Sequence, residues 1–337
     1  MKFGLFDHVD RGAGTIQNFY ENRLRVAEKY DKAGFYAYHT AEHHATTLGM
    51  ASSPNVYLSA VAQRTKQLKF GPLVYCLPQY HPIRLFEEIC MLDQMSGGRL
   101  QVGVGKGISA IESGYFGLDS ADVKAMYQEY YQIIIKAMTS EQLTFKGDYF
   151  SVENMPLEIK PAQTPHPPIW TGISTADTIT WPAENKINII SNRNSQAMRR
   201  ITDAYRTEWE SLGRSLDDLP LMGMTRFLVI ANTDDKAMGI GRRAYDVWYK
   251  SFMKLWWRHG TEPPLAAYAE NFDGIIKSGL AIAGSVKTVA NILEDQIEES
   301  DINYFVARFV FGDVSYKEAV YSIDAFSEAC LLNQLKT

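Results

Sequence analysis

The chain has 337 residues, of which 46% are hydrophobic and 22% are charged, and its formal net charge is -5. This composition is typical of a globular protein with a sizeable core, and the negative charge gives no electrostatic basis for binding nucleic acid. The three cysteines, Cys76, Cys90 and Cys330, are far apart, which argues against a disulfide framework or a cysteine-rich zinc site. We find no signal peptide and no apolar run as long as a membrane span, so we expect a cytoplasmic protein.

Short apolar strands alternate with amphipathic helices along the chain. The pattern predicts eight strands, at about 2–6, 35–38, 68–77, 100–104, 169–172, 187–191, 221–230 and 304–311. A helix is predicted after each strand, at about 15–33, 54–67, 82–96, 121–138, from 175, 195–212, 234–258 and 315–332. One further helix, at 285–299, is predicted before the eighth strand.

Strict alternation of strands and helices indicates a parallel sheet with right-handed crossovers, and eight such units are the number that closes a barrel. We therefore predict an α/β fold, a (β/α)8 TIM barrel formed as one domain by residues 1–337, with an open doubly wound sheet as the alternative. Insertions are expected at about 140–168, where prolines suggest a small hairpin, and at about 235–284. The aromatic segment 245–272 is expected to form a lid over the pocket or a subunit interface.

Polar residues follow most of the predicted strands. In a βα barrel the active site lies at the carboxyl ends of the strands, so these residues should meet at one mouth. They are Asp7, His8 and Asp10 after the first strand, 39–44 after the second, 79–81 after the third, 105–107 after the fourth, Ser174, Thr175 and Thr178 after the fifth, and 191–193 after the sixth.

The segment 39–44 reads His-Thr-Ala-Glu-His-His and holds three of the seven histidines. His39-x-x-Glu42-His43 matches the inverted zinc-protease pattern, which requires both histidines on one helical face. Here the segment follows a strand, so we favour proton transfer near neutral pH over metal binding. A metal-dependent hydrolase on the barrel remains an alternative, with zinc as its metal.

Several spaced motifs resemble those of the bacterial luciferase-like flavin monooxygenases. They are Met1-Lys2-Phe3-Gly4, Glu42-His43-His44, His81-Pro82-x-Arg84-x-x-Glu87, Leu92-Asp93-Gln94-Met95-Ser96-x-Gly98-Arg99, 103–107, Trp170-Thr171-Gly172-x-Ser174-Thr175 and Gly284-Ser285-Val286. The resemblance covers essentially the whole chain. It implies an enzyme that binds reduced FMN, supplied by a separate flavin reductase, at the barrel mouth. The flavin would react with dioxygen at C4a to form a peroxide that oxygenates a small organic substrate.

The resemblance also implies roles for single residues. His43 would be the general acid or base beside the flavin, with Glu42 orienting the site and His44 supporting the loop. Leu73, Val74 and Tyr75 match the strand that lies against the isoalloxazine ring and contains a non-prolyl cis peptide. Lys106, next to Gly105, would meet the FMN phosphate together with the loop residues Ser174, Thr175 and Thr178, at the start of a helix. A homodimer is expected.

Two further alternatives stay open within this fold. A protein of this kind that bound the deazaflavin coenzyme F420 would transfer hydride without using oxygen. A luciferase-like subunit that binds flavin poorly would only stabilise a partner chain. His43 and Lys106 argue against the second alternative, because a purely structural subunit has no need of them.

Overall fold

Parallel strands with helices on their outer side make up most of the chain in the computed structural model, which describes residues 1–263 and 268–331. The strands are β1 (Lys2–Asp7), β2 (Ala37–Thr40), β3 (Lys69–Pro72), β4 (Tyr75–Cys76), β5 (Val102–Gly105), β6 (Gln142–Lys146), β7 (Ser151–Pro156), β8 (Ile169–Gly172), β9 (Asn188–Ser191), β10 (Met222–Ile230), β11 (Ala281–Gly284) and β12 (Tyr304–Arg308).

The helices lie between these strands in the chain. They are α1 (Ile16–Ala33), α2 (Pro54–Arg64), α3 (Pro82–Ser96), α4 (Ala110–Tyr115), α5 (Val123–Thr139), α6 (Thr180–Glu184), α7 (Ser195–Ser211), α8 (Asp234–Arg258), α9 (Phe272–Lys277), α10 (Val286–Ser300) and α11 (Tyr316–Phe326). Side-chain caps of the expected kind start several of them. Ser315, for example, forms a capping box with Glu318 at the start of α11. None of the helices described is long and apolar enough to cross a membrane.

The strands close into a barrel. Their order is β3-β2-β1-β12-β10-β9-β8-β5-β4, and every pair along this path is parallel. The two ends of the path, β3 and β4, are halves of one strand, and a parallel bridge between Phe70 and Leu100 adds to the seam. With β3 and β4 taken as one strand, the barrel has the eight strands of the predicted (β/α)8 fold.

The third barrel strand differs from the single strand predicted at 68–77. It breaks between β3 and β4, and the Leu73–Val74 peptide at the break is cis, as the resemblance implies. Gly103 and Gly105 of β5 lie directly opposite the break. A Cβ at Gly103 would overlap the carbonyl oxygen of Pro72, and one at Gly105 would overlap the side chain of Val74. Glycine is therefore required at both positions if the backbones are to approach this closely.

Other boundaries also differ from the prediction. β2 lies two residues later than 35–38, which places His39 inside a strand, and the eighth strand ends at Arg308 instead of Phe311. The helix expected from Thr175 is a 3-10 turn at Ala176–Thr178 followed by the five-residue α6. The last helix continues as a π-helical turn, Ser327–Leu331, and the predicted end at Leu332 lies outside the described residues.

Three elements were missed by the sequence pattern: α4, α9 and β11. β11 pairs in parallel with residues 227–230, the second half of β10, whereas β9 pairs with residues 222–224. At four residues, Ala-Ile-Ala-Gly, it is too short to show a period of two. The insertion at 140–168 contains an antiparallel hairpin formed by β6 and β7.

A buried ionic network links the end of the first strand and the residues after it to the segment that follows the last strand. Arg23 of α1 lies 3.3 Å from the carboxylate of Asp7 and 3.4 Å from that of Asp10. Asp10 Oδ2 also accepts a hydrogen bond of 2.6 Å from the backbone N–H of Gly312. Asp7 and Asp10, which the sequence placed among the polar residues of the mouth, therefore stabilise the barrel.

We expect Asp10→Ala to lower the free energy of unfolding by about 2–4 kcal/mol, because it removes one of the two carboxylates around a buried guanidinium and leaves a buried N–H unpaired. Denaturant unfolding measures the change. Asp148→Ala is the matched control, since Asp148 is exposed on the β6–β7 hairpin, and its effect should stay within about 0.5 kcal/mol. Equal effects of the two variants would contradict the structural role of Asp10.

Candidate functional site

A cavity of about 860 Å³ opens at the carboxyl ends of the barrel strands. Each barrel strand, or the loop that follows it, brings at least one residue to the lining, for example Phe6, Glu42, Val74, Gly105, Thr171, Ser191, Thr225 and Arg308. This volume lies within the range of cofactor and small-molecule sites. Each of the six predicted groups of polar residues contributes to this cavity, as expected for a βα barrel, although single members such as Asp7, Asp10 and His39 do not line it.

All but one of the residues proposed from the sequence line this cavity. They are Glu42, His43, Leu73, Val74, Gly105, Lys106, Ser174, Thr175 and Thr178. Tyr75 is the exception and a correction. Its side chain is fully buried outside the cavity and its hydroxyl donates a hydrogen bond to Asn55. Because side chains alternate along a strand, Tyr75 points into the surrounding core while its neighbour Cys76 reaches the cavity.

One side of the mouth is suited to an anion. Lys106 is exposed at the end of β5, and Ser174 and Thr175 follow the neighbouring strand β8, so their donors lie side by side. Arg193 donates a hydrogen bond of 3.2 Å from Nε to the carbonyl of Ser174 and brings a further positive charge to this loop. Only a 3-10 turn and the short α6 follow the Ser174–Thr175 loop, so a helix dipole contributes little here. The attraction for an anion comes mainly from the charges of Lys106 and Arg193 and from the hydroxyls of the loop.

His43 is held by a carboxylate from the fourth βα loop. Its Nδ1 lies 3.1 Å from Oε1 of Glu112, and the second oxygen, Oε2, accepts a 2.8 Å hydrogen bond from the backbone N–H of His44. Burial raises the pKa of Glu112, but the hydrogen bond and charge of His43 and the His44 N–H outweigh it, so the pKa is lowered. An ionised Glu112 requires the proton of His43 on Nδ1, which leaves Nε2 for a ligand.

Glu42 and His44 form a second pair beside the first. Oε1 of Glu42 lies 3.0 Å from Nε2 of His44, and its Oε2 accepts a 3.1 Å hydrogen bond from the backbone N–H of Cys76. Glu42 thereby ties the second βα loop to the third barrel strand. Both carboxylate oxygens of Glu42 therefore have protein partners, and its assigned role of orienting the site stays a prediction.

His8 is a neutral hydrogen-bonding residue in the cavity wall. Burial lowers the pKa of its imidazole well below the ordinary value, and the charge of Arg308 acts in the same direction. The indole N–H of Trp248 donates to its Nδ1 at 3.3 Å, so the ring proton is on Nε2. His8 stacks on His43 with the ring centroids 6.0 Å apart.

The predicted aromatic segment supplies a wall of the site. Trp248 of α8 is fully buried. Its ring centroid lies 5.3 Å from that of Phe252 and 5.0 Å from that of Tyr268. Tyr268 lines the cavity, and Phe252 lines a small adjoining pocket that His43 also borders. Residues 264–267 of this segment lie outside the described part of the chain, and the roles of lid and subunit interface remain predictions.

Sequence reasoning missed two charged residues of the site, Glu112 and Arg308. A signal existed for Glu112, because Ser109-x-x-Glu112 is a capping-box pattern directly after the fourth strand. Ser109 does accept from the Glu112 backbone N–H at 3.2 Å, but the Glu112 carboxylate turns to the histidines. Arg308 is conspicuous in the otherwise apolar run 304–311, and it shares the inward face of β12 with Val306.

The histidine cluster does not assemble a metal site. His39 is fully buried inside the barrel, where its Nε2 lies 3.0 Å from the hydroxyl of Tyr304, and it belongs to the scaffold. His43 and His44 each pair with a different carboxylate. In the part of the chain that the structure describes, no three His, Cys, Asp or Glu side chains are placed to hold a metal ion. The zinc pattern in the sequence therefore has no counterpart in the geometry.

Residues 1–300 match the sequence model of the luciferase-like monooxygenases. The chain belongs to this family, as the motifs had suggested. It is 39% identical over 323 residues to the uncharacterized protein y4wF of Sinorhizobium fredii, covering 96% of this chain and 94% of that protein.

Solved structures share the fold. One is the oxygenating constituent of 3,6-diketocamphane monooxygenase from Pseudomonas putida in complex with FMN, with a TM-score of 0.82 at 20% identity over 100% of this chain and 99% of that one. Another is the coenzyme F420 dependent tetrahydromethanopterin reductase of Methanopyrus kandleri, with a TM-score of 0.74 at 17% identity over 98% of each chain. At these identities the likeness concerns the fold alone.

We expect Glu112→Ala to shift neutral His43 from the Nδ1–H towards the Nε2–H tautomer, because the carboxylate that accepts the Nδ1 proton is gone. It should also lower the free energy of unfolding by about 1–3 kcal/mol, since the His44 N–H loses its acceptor. Imidazole 15N chemical shifts report the tautomer and denaturant unfolding the stability. Glu141→Ala, at an exposed position, is the control. An unchanged tautomer in Glu112→Ala would show that another group positions His43.

Proposed function

We propose that this protein is a flavin-dependent monooxygenase that uses reduced FMN and dioxygen to oxygenate a small organic substrate, with the reduced FMN supplied by a separate flavin reductase. The observation that carries the proposal is the spatial order of four features around the mouth of the barrel. His43 follows β2, the Leu73–Val74 break lies between β3 and β4, Lys106 follows β5 and Ser174 follows β8, and these strands are consecutive in the barrel. A homodimer remains a prediction.

The residues present fit a flavin. Leu73 and Val74 offer an apolar surface for the ring, and the absence of a side chain at Gly105 lets Val74 pack closely against β5. Lys106, Ser174, Thr175 and Thr178 offer a charge and hydroxyls for a phosphate. Gln79 adds a buried side-chain oxygen that has no hydrogen-bond partner among the described residues and lines the same cavity, so it can accept from a ligand N–H.

Reduced FMN, when bound, would supply the activation of dioxygen. The protein's own residues would place the ring, keep water away and handle one proton. Lys106 attracts the phosphate as a point charge. The aromatic wall formed by Trp248, Phe252 and Tyr268 excludes water from the opposite side. His43, with Nδ1 committed to Glu112, gives or takes a proton at Nε2.

Anaerobic titration followed by admission of oxygen tests the proposal. We expect reduced FMN to bind with a dissociation constant in the micromolar range, and the protein to change the rate at which air reoxidises the flavin from that of free reduced FMN. The shared fold with an F420-dependent reductase favours one alternative, hydride transfer with coenzyme F420. Tight binding of F420, together with reoxidation of reduced FMN at the rate of the free flavin, would replace the proposal by that alternative.

We expect Lys106→Ala to weaken the binding of FMN by about 10-fold and that of riboflavin by less than about 2-fold, because only FMN carries the phosphate that a charge-assisted contact would hold. Flavin fluorescence measures both dissociation constants. Lys124→Ala serves as the control, since Lys124 is an exposed lysine on α5. If both flavins lose affinity equally in Lys106→Ala, the phosphate lies elsewhere.

We expect His43→Ala to leave the dissociation constant of reduced FMN within about 3-fold and to lower the turnover of an accepted substrate by about 10²–10⁴-fold, the usual contribution of a general acid or base. Steady-state product formation and anaerobic titration separate the two effects. His166→Ala is the control, because His166 precedes β8 at the opposite end of the barrel. Unchanged turnover in His43→Ala would remove its assigned role.

A further inference from the structure

Arg308 carries a buried guanidinium that borders the cavity and contacts uncharged side chains. Its side chain is 5% exposed, and the guanidinium lies 4.8 Å from the ring centroid of Phe6 and 4.7 Å from that of Phe227. Its terminal nitrogens donate to the hydroxyl of Tyr268 at 3.2 Å and to Oγ1 of Thr225 at 2.8 Å. Nε has no hydrogen-bond partner among the described residues, although it is buried.

Among residues 1–263 and 268–331, no carboxylate balances this charge. Of the ion pairs formed by the described residues, none includes Arg308. The nearby His8 is neutral, and Arg226 adds a second buried guanidinium, whose Nε donates to the amide oxygen of Gln296. An uncompensated buried charge is costly, and a bound anion would offset that cost.

Arg308 lies on the side of the cavity opposite to Lys106. In the strand order, β12 and β5 are separated by three strands in one direction (β10, β9 and β8) and by three in the other (β1, β2 and the third strand, β3 with β4). The cavity therefore has two positively charged regions, an exposed one at Lys106 and a buried one at Arg308. If the phosphate of a flavin is held at Lys106, Arg308 faces the part of the cavity left for the substrate.

We propose that Arg308 binds a carboxylate of the substrate, so that the enzyme acts on small organic acids with an apolar body. The reaction assigned to this acid rests on the proposed function, whereas the binding of a carboxylate at Arg308 can be tested without it. The free Nε–H and a remaining N–H of a terminal nitrogen can form the two parallel hydrogen bonds that a carboxylate accepts. The rings of Phe6 and Tyr268, which lie near the guanidinium and line the cavity, suit the apolar remainder of such a molecule.

Binding of matched acids and amides tests the inference without any turnover. The probes are acetate, benzoate, phenylacetate and octanoate, each compared with its primary amide by isothermal titration into the full-length protein, with and without FMN. We expect at least one acid to bind about 10-fold more tightly than its amide, as a charge-assisted bidentate contact provides. If no acid exceeds its amide, the inference is wrong.

Two variants locate the contact. Arg308→Met keeps the apolar stem and should remove the acid preference, and Arg308→Lys, which keeps the charge but loses the fork, should reduce it by about 3–10-fold and serves if the first variant does not fold. Lys106→Met removes the positive charge on the opposite side of the cavity and should leave the acid preference, measured without FMN, unchanged. Loss of the preference in Lys106→Met, its survival in both Arg308 variants, or weaker FMN binding in Arg308→Lys would overturn the assignment.

The outcomes separate this inference from the proposed function. A changed rate of flavin reoxidation but no acid preference would refute the carboxylate contact alone. An acid preference that depends on Arg308, in a protein with which reduced FMN reoxidises at the rate of the free flavin, would keep the anion site and refute the monooxygenase.

Discussion

The seam between the third and fourth strands of the barrel is the constraint on which the site depends. The barrel closes where β4 pairs with β5 and where Phe70 of β3 bridges to Leu100, just before β5, and the third strand breaks between its two halves at Leu73–Val74. Gly103 and Gly105 let the two backbones meet at the break, because any side chain there would overlap Pro72 or Val74. The break turns two apolar side chains to the cavity and sets the position of Lys106, the next residue after β5.

Carboxylates that bridge loops complete the arrangement. Glu112 joins the fourth βα loop to His43 and His44 of the second, and Glu42 joins that second loop to the third strand through Cys76. The second and fourth loops and the third strand are thus connected by hydrogen bonds to buried carboxylates, which are stronger than those between neutral groups. A mobile loop would let His43 change its tautomer and orientation, so the bridges fix both. The far side of the cavity has a different character, with a buried guanidinium and aromatic rings.

The sequence predicts the barrel well, because alternation of strands and helices is a repeated signal to which each of the eight units adds. Nine of the ten site residues proposed from the sequence line the cavity, because the carboxyl ends of parallel strands lie at the same end of the barrel. The prediction for Tyr75 is wrong because the side-chain directions after residue 74 depend on the break in the third strand. The hydrophobic pattern of the sequence does not reveal that break. Glu112 and Arg308 were missed for a related reason. Their partners are far apart in the chain, 69 residues for Glu112 and His43 and 83 for Arg308 and Thr225, and only the closed barrel brings them together.

A crystal structure of the protein with FMN would test the central claim most directly, namely that one cavity holds a flavin with its phosphate at Lys106. We expect the phosphate within hydrogen-bonding distance of Lys106 Nζ and of the Ser174 and Thr175 hydroxyls, the ring against Leu73 and Val74, and open space in front of Arg308. A phosphate bound at Arg308, or a flavin ring that leaves Leu73 and Val74 uncovered, would contradict this arrangement of the site.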